Sequence, residues 1–338
     1  MTEEARRRPR GKTSIRKGSR GGQERRPADP ERHTRLNPSR DLKALLKLYA
    51  LRPKKGFGQN FLIDPFALET IVEAAQLTPT DHVLEIGPGL GVLTRELSQR
   101  AERVVAIEID RGLVAALGEI LIDSTNVTII EGDALHIDPA EHFPDHPYKV
   151  IANIPYYITA SLLRRFFESS RRPTRIVVMI QKEVAERIVA TPGRLSLLAI
   201  SVQFYGVPQI VGRVPASAFL PQPKVDSAIL AIDVRPSPLV DIDPDTFFKV
   251  VSAGFAMPRK QIHNALPQRI WMPRTGAADA LAAAGIDSTR RAQTLSIDEW
   301  AILTRVMLAE GLVYPDEDID PSDIAPDVDS DERPQDDE

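Results

Sequence analysis

The stretch His82 to Ala101, HVLEIGPGLGVLTRELSQRA, restricts this chain more than any other. A short apolar run leads into glycines at alternate positions, and helical spacing of apolar residues starts directly behind them. This is a strand entering a helix through a tight turn, and the pattern recurs along the chain. RVVAIEID, NVTIIEGDA, YKVIAN and RIVVMIQ read as strands. FALETIVEAAQL, GLVAALGEIL, TASLLRRFFESS and KEVAERIVA read as helices. Strands alternating with helices imply an α/β fold, a mostly parallel doubly wound sheet with both faces covered.

Further on, LLAISVQFY, QIVGRVP and VDSAILAIDV read as additional strands at one side of that sheet. Beyond the Pro-rich connector RPSPLVDIDP the pattern turns helical. DTFFKVVSAGFA, KQIHNAL, GAADALAAAG and SIDEWAILTRVMLAEGL suit a small C-terminal all-α domain. The expected division is a basic leader over 1–40, an α/β domain over 41–235, a helical domain over 236–314 and an acidic tail over 315–338. The net charge of −4 hides this asymmetry: the leader holds 13 Arg and Lys against 5 acids, and the tail 12 acids against Arg333. Neither end has apolar periodicity, so both are expected to be disordered. The leader suits phosphate binding and simple solubilisation equally.

The chain has no cysteine. That excludes a disulfide framework, thiolate metal sites and cysteine nucleophiles, and it fits a reducing compartment. No apolar run approaches the ~20 residues of a membrane span. A soluble, cytoplasmic protein without a metal is expected.

Chemistry concentrates where strands end. In EIGPGLG, Glu85 precedes Gly87, Gly89 and Gly91, whose spacing is G-x-G-x-G. A dinucleotide loop would read G-x-G-x-x-G and offer its amides to pyrophosphate. A carboxylate at Glu85 would repel pyrophosphate but attract an ammonium. That favours S-adenosyl-L-methionine, which carries an amine and a nucleoside but no phosphate. Glu108 ends the next strand, about twenty residues on, where an acid accepts bonds from ribose hydroxyls. Asp133 ends the third, within reach of an adenine amino group.

The fourth strand ends in Asn153-Ile154-Pro155-Tyr156. An exocyclic amine on an aromatic base is a poor nucleophile, since its lone pair is delocalised into the ring. The Asn153 side-chain oxygen and a nearby backbone carbonyl can each accept one of its hydrogens and favour a more pyramidal nitrogen. Pro155 holds the backbone and Tyr156 can stack on the base. Positioning and polar preorganisation then carry the reaction.

Asn-Ile-Pro-Tyr after E-I-G-P-G resembles the RNA adenine dimethyltransferases. GFGQNFLID, QKEVAERIV, PASAFLPQPKVDSAIL and GIDSTRRAQTLSIDEW resemble the branch that modifies small-subunit ribosomal RNA. The likeness runs over roughly residues 52–310. It implies a Rossmann-like class I methyltransferase that dimethylates two adjacent adenines in the 3′-terminal hairpin loop of small-subunit (16S) rRNA. It implies action late in assembly, on a 30S-type particle. By the same resemblance, Asn60 and Leu62 fold over the cofactor, Gly87, Glu108 and Asp133 bind it, and Asn153 lies between cofactor and target. Phe219 would face Tyr156 across the target base. Pro221 and Pro223 would stiffen that loop, and Lys224 would meet phosphate or cover the sheet edge. Base flipping fits such a pocket.

Arg259, Lys260 and His263, with Arg290 and Arg291, form the expected RNA face. The chain departs from the family in running from ATPG directly into RLSLL, so one loop is short. A large-subunit (23S) rRNA dimethyltransferase, a non-catalytic RNA-binding assembly factor and a nicotinamide oxidoreductase are the competing readings. PKVDSAIL, the intact cofactor loop and the glycine spacing count against them in turn. A monomer is expected.

Overall fold

The computed structural model describes residues 38–273 and 275–314, so the expectations for most of the leader and for the acidic tail fall outside the described residues. The strands are β1 (Phe61–Leu62), β2 (His82–Ile86), β3 (Arg103–Glu108), β4 (Val127–Glu131), β5 (Tyr148–Asn153), β6 (Arg175–Gln181), β7 (Gly206–Val214), β8 (Phe219–Leu220) and β9 (Ser227–Val234). Seven of them form one sheet in the order β4-β3-β2-β5-β6-β9-β7, while β1 and β8 pair separately. The pairs β2–β3, β2–β5, β3–β4 and β5–β6 are parallel. Only β9 runs against its neighbours β6 and β7.

The chain winds outward from β2 through β3 and β4, then crosses back to β5 and β6. The direction of winding therefore reverses between β2 and β5, and the crevice above their carboxyl ends is where an open α/β sheet binds ligands. The central strands are buried on both sides: Val83, Leu84, Val104, Val105, Val150 and Ile151 are fully excluded from solvent. That is why they read as unbroken apolar runs rather than alternating ones.

One expected strand is a helix. LLAISVQFY forms the helix Leu197–Tyr205, started by Ser196, whose hydroxyl accepts the Ala199 N–H at 3.2 Å. Six of its nine residues are buried and none is exposed, so the run shows no charged face from which the period could be read. A helix not anticipated spans Pro38–Leu48, three residues into the expected leader. It buries Leu42, Leu45 and Leu46 against Leu113, Ala116 and Leu117 of the helix Arg111–Ile120. Each such leucine contributes about 1.5–3 kcal/mol by burial.

The C-terminal helices Pro244–Phe255, Gly276–Ala283 and Ile297–Ala309 stand where helices were expected. They share one apolar core with the sheet. Phe204 stacks on Phe247 at 4.7 Å, and Trp300 is fully buried against Phe255 and Gly254. Helix Ile297–Ala309 opens with a capping box in which Ser296 and Glu299 satisfy each other's backbone N–H groups.

Candidate active site

The turn after β2 needs left-handed backbone at both early glycines, with φ +67° at Gly87 and +61° at Gly89. A side chain at Gly89 would also press on the Phe61 ring at 3.2 Å. Glycine is therefore required here for conformation and for the close approach of the segment above it. The Gly89 N–H donates to Glu108 Oε2 at 3.1 Å, and the Asp110 N–H donates to Glu108 Oε1 at 3.0 Å. Glu108 thus ties the end of β3 to the turn after β2 while staying almost fully buried. Burial raises its pKa, against the opposing pull of those two amides.

Glu85 is the more constrained acid. It is fully buried, Oε2 has no hydrogen-bond partner, and the nearby Thr94 hydroxyl interacts with the carboxyl without forming a well-aligned bond. Loss of solvent pushes its pKa up to about 8, with Thr94 pulling the other way and the neighbouring Glu108 charge adding to the rise. Two buried carboxylates side by side, one with an unpaired oxygen, call for a cationic group. S-adenosylmethionine, with an ammonium and a sulfonium, fits that demand; a dinucleotide's pyrophosphate does not.

Asn60, Leu62, Glu85, Gly87, Gly89, Glu108, Asp133, Asn153, Pro155 and Tyr156 all line a single cavity. The structure thus brings together the acids from the ends of β2, β3 and β4, the Asn153 that ends β5, and the segment 57–62 that roofs them. Asp133 Oδ1 accepts the Leu135 N–H at 2.9 Å, and its Oδ2 lies 3.2 Å from His136 Nδ1. The Asn153 backbone oxygen is the nearest atom to the position a Gly87 side chain would take.

Asn153 Nδ2 donates to the Asn60 backbone carbonyl at 3.1 Å. A backbone carbonyl can only accept, so this bond settles which way the amide faces. The NH2 is turned to the roof, and Oδ1 is left as the acceptor on the other side. Pro155, at φ −56°, starts the short 3-10 turn Tyr156–Ile158. Tyr156 is half-buried, and its hydroxyl meets Ser227 Oγ at 2.7 Å.

Phe219 departs from expectation. Its ring is 3% exposed, sits in the apolar cluster of Leu62, Val214 and Ile229, and is absent from the cavity wall. The cause is the pairing of β1 with β8, which sets Leu62 directly opposite Phe219 so that both side chains share the core-facing side. Lys224 is exposed near the end of the same loop, which is closed by the Ala216 N–H donating to Asp226 Oδ1 at 3.0 Å.

The expected RNA face divides. Arg259, Lys260 and Arg291 are exposed, and the Ile262 N–H donates to the Arg290 carbonyl at 2.7 Å, which joins their two segments. His263 Nδ1 lies 2.7 Å from the Ser288 carbonyl, which draws this ring into the joint. Arg290 is a correction. Its guanidinium is paired to both Glu299 oxygens and to Thr294, so its donors are used inside the helical unit. The shortened loop also finds a place: the Gly193 and Leu195 N–H groups both donate to the Gln293 carbonyl, at 2.9 and 3.2 Å.

Three contributors were missed in the sequence. Asp110 anchors the roof by accepting Lys54 Nζ at 2.8 Å and Gln59 Nε2 at 3.0 Å. Burial pulls its pKa up, but the bonds from Lys54, Gln59 and the Gly112 N–H outweigh this and hold it below the usual value. Phe61 covers Gly89. Ser227 reaches Tyr156. Phe61 and Ser227 lie inside quoted motifs, GQNFL and PKVDS, so a signal existed there; Asp110 had none beyond its place after Glu108.

Residues 50–307 match the family described as ribosomal RNA adenine dimethylase. The chain is 46% identical over 266 residues to the ribosomal RNA small subunit methyltransferase A of Dehalococcoides mccartyi, covering 78% of this chain and 91% of that one. A dimethyladenosine transferase from Plasmodium falciparum superimposes with a TM-score of 0.66 at 27% identity, over 75% of this chain and 98% of that one. The 23S rRNA methyltransferase ErmE superimposes with a TM-score of 0.61 at 31% identity, over 73% and 99%. The unpaired acid, the oriented amide and these likenesses agree, and the chain belongs to the ribosomal RNA adenine dimethylase family.

Proposed function

We propose that this protein dimethylates the N6 amines of two adjacent adenines in the 3′-terminal hairpin loop of small-subunit rRNA, with S-adenosylmethionine as donor. It acts as a cytoplasmic monomer on a late 30S-type assembly particle. The observation that carries this is the Asn153 amide, whose NH2 is held by the Asn60 carbonyl so that Oδ1 remains an acceptor beside Tyr156. Forty-six per cent identity to a relative named for the small subunit, against 31% to a 23S enzyme, supports the choice of subunit.

When bound, S-adenosylmethionine supplies an electrophilic methyl carbon. Glu85, Glu108, Asp133 and the glycine turn would hold it, and the strap 54–62 would keep water out. Asn153 Oδ1 accepts one hydrogen of the extruded adenine's amine, and the Ile154 carbonyl, fixed by Pro155, accepts the other. Both bonds draw the nitrogen toward a pyramidal shape with an available lone pair. Tyr156 stacks on the base. Stacking on Phe219 requires that ring to leave its present packing, so Tyr156 carries more of the contact than the sequence suggested. Arg259, Lys260, Arg291 and Lys224 meet phosphates.

The test is transfer of labelled methyl to under-methylated small subunits. Asn153→Ala should lower kcat about 10²–10³-fold, while cofactor affinity falls far less, since the lost acceptor faces the target and the roof keeps its Lys54 and Gln59 ties to Asp110 when the Asn60 tie is lost. Label on large-subunit RNA would reassign the substrate to the 23S reading. An Asn153→Ala protein as active as wild type would refute the mechanism.

A further inference from the structure

Tyr156 does not stand alone. Its hydroxyl lies 2.7 Å from Ser227 Oγ, and Ser227 is fully buried at the first position of β9. There it is opposite Gln181 of β6 on one side and Val214 of β7 on the other. A serine hydroxyl without solvent is costly unless bonded, and the tyrosine is the partner it finds. The bond joins two parts of the site that are 71 residues apart in sequence. One is the Asn153–Tyr156 turn at the end of β5. The other is the root of the loop that leaves β7 after Val214, carries Phe219 and Lys224, and is closed by Asp226 on the Ala216 N–H.

We propose that Ser227 is a positioning residue for methyl transfer, holding the Tyr156 ring in the position from which it stacks on the target adenine. This rests on the reading of Asn153 and Tyr156 given above. A tyrosine side chain on a turn has two free torsions, of which χ1 sets where the ring's long axis points. The hydroxyl lies on that axis, so its bond to Ser227 fixes the direction of the ring, and a phenol's preference for in-plane hydrogen bonds restrains its rotation. That orientation matters because the amine must meet Asn153 Oδ1 and the Ile154 carbonyl together. A misplacement of about 1 Å at a reacting centre costs on the order of 10²-fold in rate. Ser227 touches neither base nor donor, so its effect passes entirely through Tyr156.

The experiment compares Ser227→Ala, Tyr156→Phe and the double variant, each as the full chain on under-methylated small subunits. Each single variant should lose about tenfold in kcat, the scale of one hydrogen bond's net worth. KM for the particle and Kd for S-adenosylmethionine should stay within about twofold. The double variant should lose no more than either single one, because both changes break the same bond. Losses that multiply in the double variant would overturn the proposal, as would a Ser227→Ala loss that appears in cofactor Kd instead of kcat. Should Ser227→Ala fail to fold, Tyr156→Phe, which keeps the ring, decides by its own kcat. Wild-type protein that transfers no methyl to adenine would sink the underlying function; wild-type transfer with both single variants at full kcat would sink only the tether.

Discussion

Replacing Glu85 by glutamine tests the cofactor site without any measurement of activity. Glu85 is fully buried with an unpaired oxygen, and burial raises its pKa from 4.5 to about 8. The folded protein therefore holds a proton there that the unfolded chain has released. An acid with a raised folded pKa loses stability as pH rises from its unfolded to its folded value. At about 1.4 kcal/mol per pH unit, the loss is about 3 kcal/mol by pH 7 and about 5 kcal/mol above pH 8. Glu85→Gln keeps the shape and removes the titration. Wild type should therefore fall behind the variant by about 2–3 kcal/mol between pH 5 and pH 7, read from urea midpoints of the ligand-free proteins. Binding of a cation at Glu85 must drive the proton off. Calorimetry at pH 7 in two buffers of different ionisation enthalpy should show about one proton released per S-adenosylmethionine bound to wild type, and none for Glu85→Gln. Parallel stability curves, or equal proton release in both proteins, would refute the assignment of Glu85 as the unpaired acid that the donor's cation satisfies.

Asp110→Ala should weaken S-adenosylmethionine binding about tenfold by calorimetry. It releases Lys54 and Gln59 from the roof, though the half-exposed Lys54 ion pair adds little of that itself. Arg290→Ala should destabilise the protein by about 1–2 kcal/mol in urea unfolding, since Glu299 loses its charged partner and the Thr294 carbonyl loses a donor. Arg291→Ala should leave stability unchanged and instead reduce the salt dependence of RNA binding by about one phosphate contact. Gly254→Ala should cost about 1–3 kcal/mol, because the added carbon would overlap the buried Trp300 ring.

What was legible from sequence follows how each feature is encoded. β2 to β6 and their helices are legible because parallel strands are short, apolar and bounded by turns, the central ones buried and β4 half-buried at the edge, and the glycines and acids at their ends stand at regular places. The helix Leu197–Tyr205 was misread as a strand because burial on all sides erases the period that separates the two. Phe219 was misplaced because its orientation depends on the pairing of two-residue strands, which no local pattern specifies. Arg290 and Arg291 are adjacent and identical in sequence. Only the tertiary position of Glu299 makes one a structural partner and leaves the other facing solvent.

The strap from Lys54 to Leu62 links the two halves of the site. Its outer end is tied to Asp110, its centre lays Phe61 over Gly89, and its Asn60 carbonyl holds Asn153. The same segment thus roofs the cavity and sets the direction of the Asn153 amide. Lifting it would expose the buried carboxylates to water and free Asn153 to turn its NH2 toward the substrate, where a donor would oppose the amine's hydrogens. Under the proposed function, enclosure of the donor and orientation of Asn153 for the base therefore depend on the same segment. Beneath the strap lie the buried acids of β2 and β3, whose raised pKa values mark the place where a cationic ligand would offset the cost of their burial.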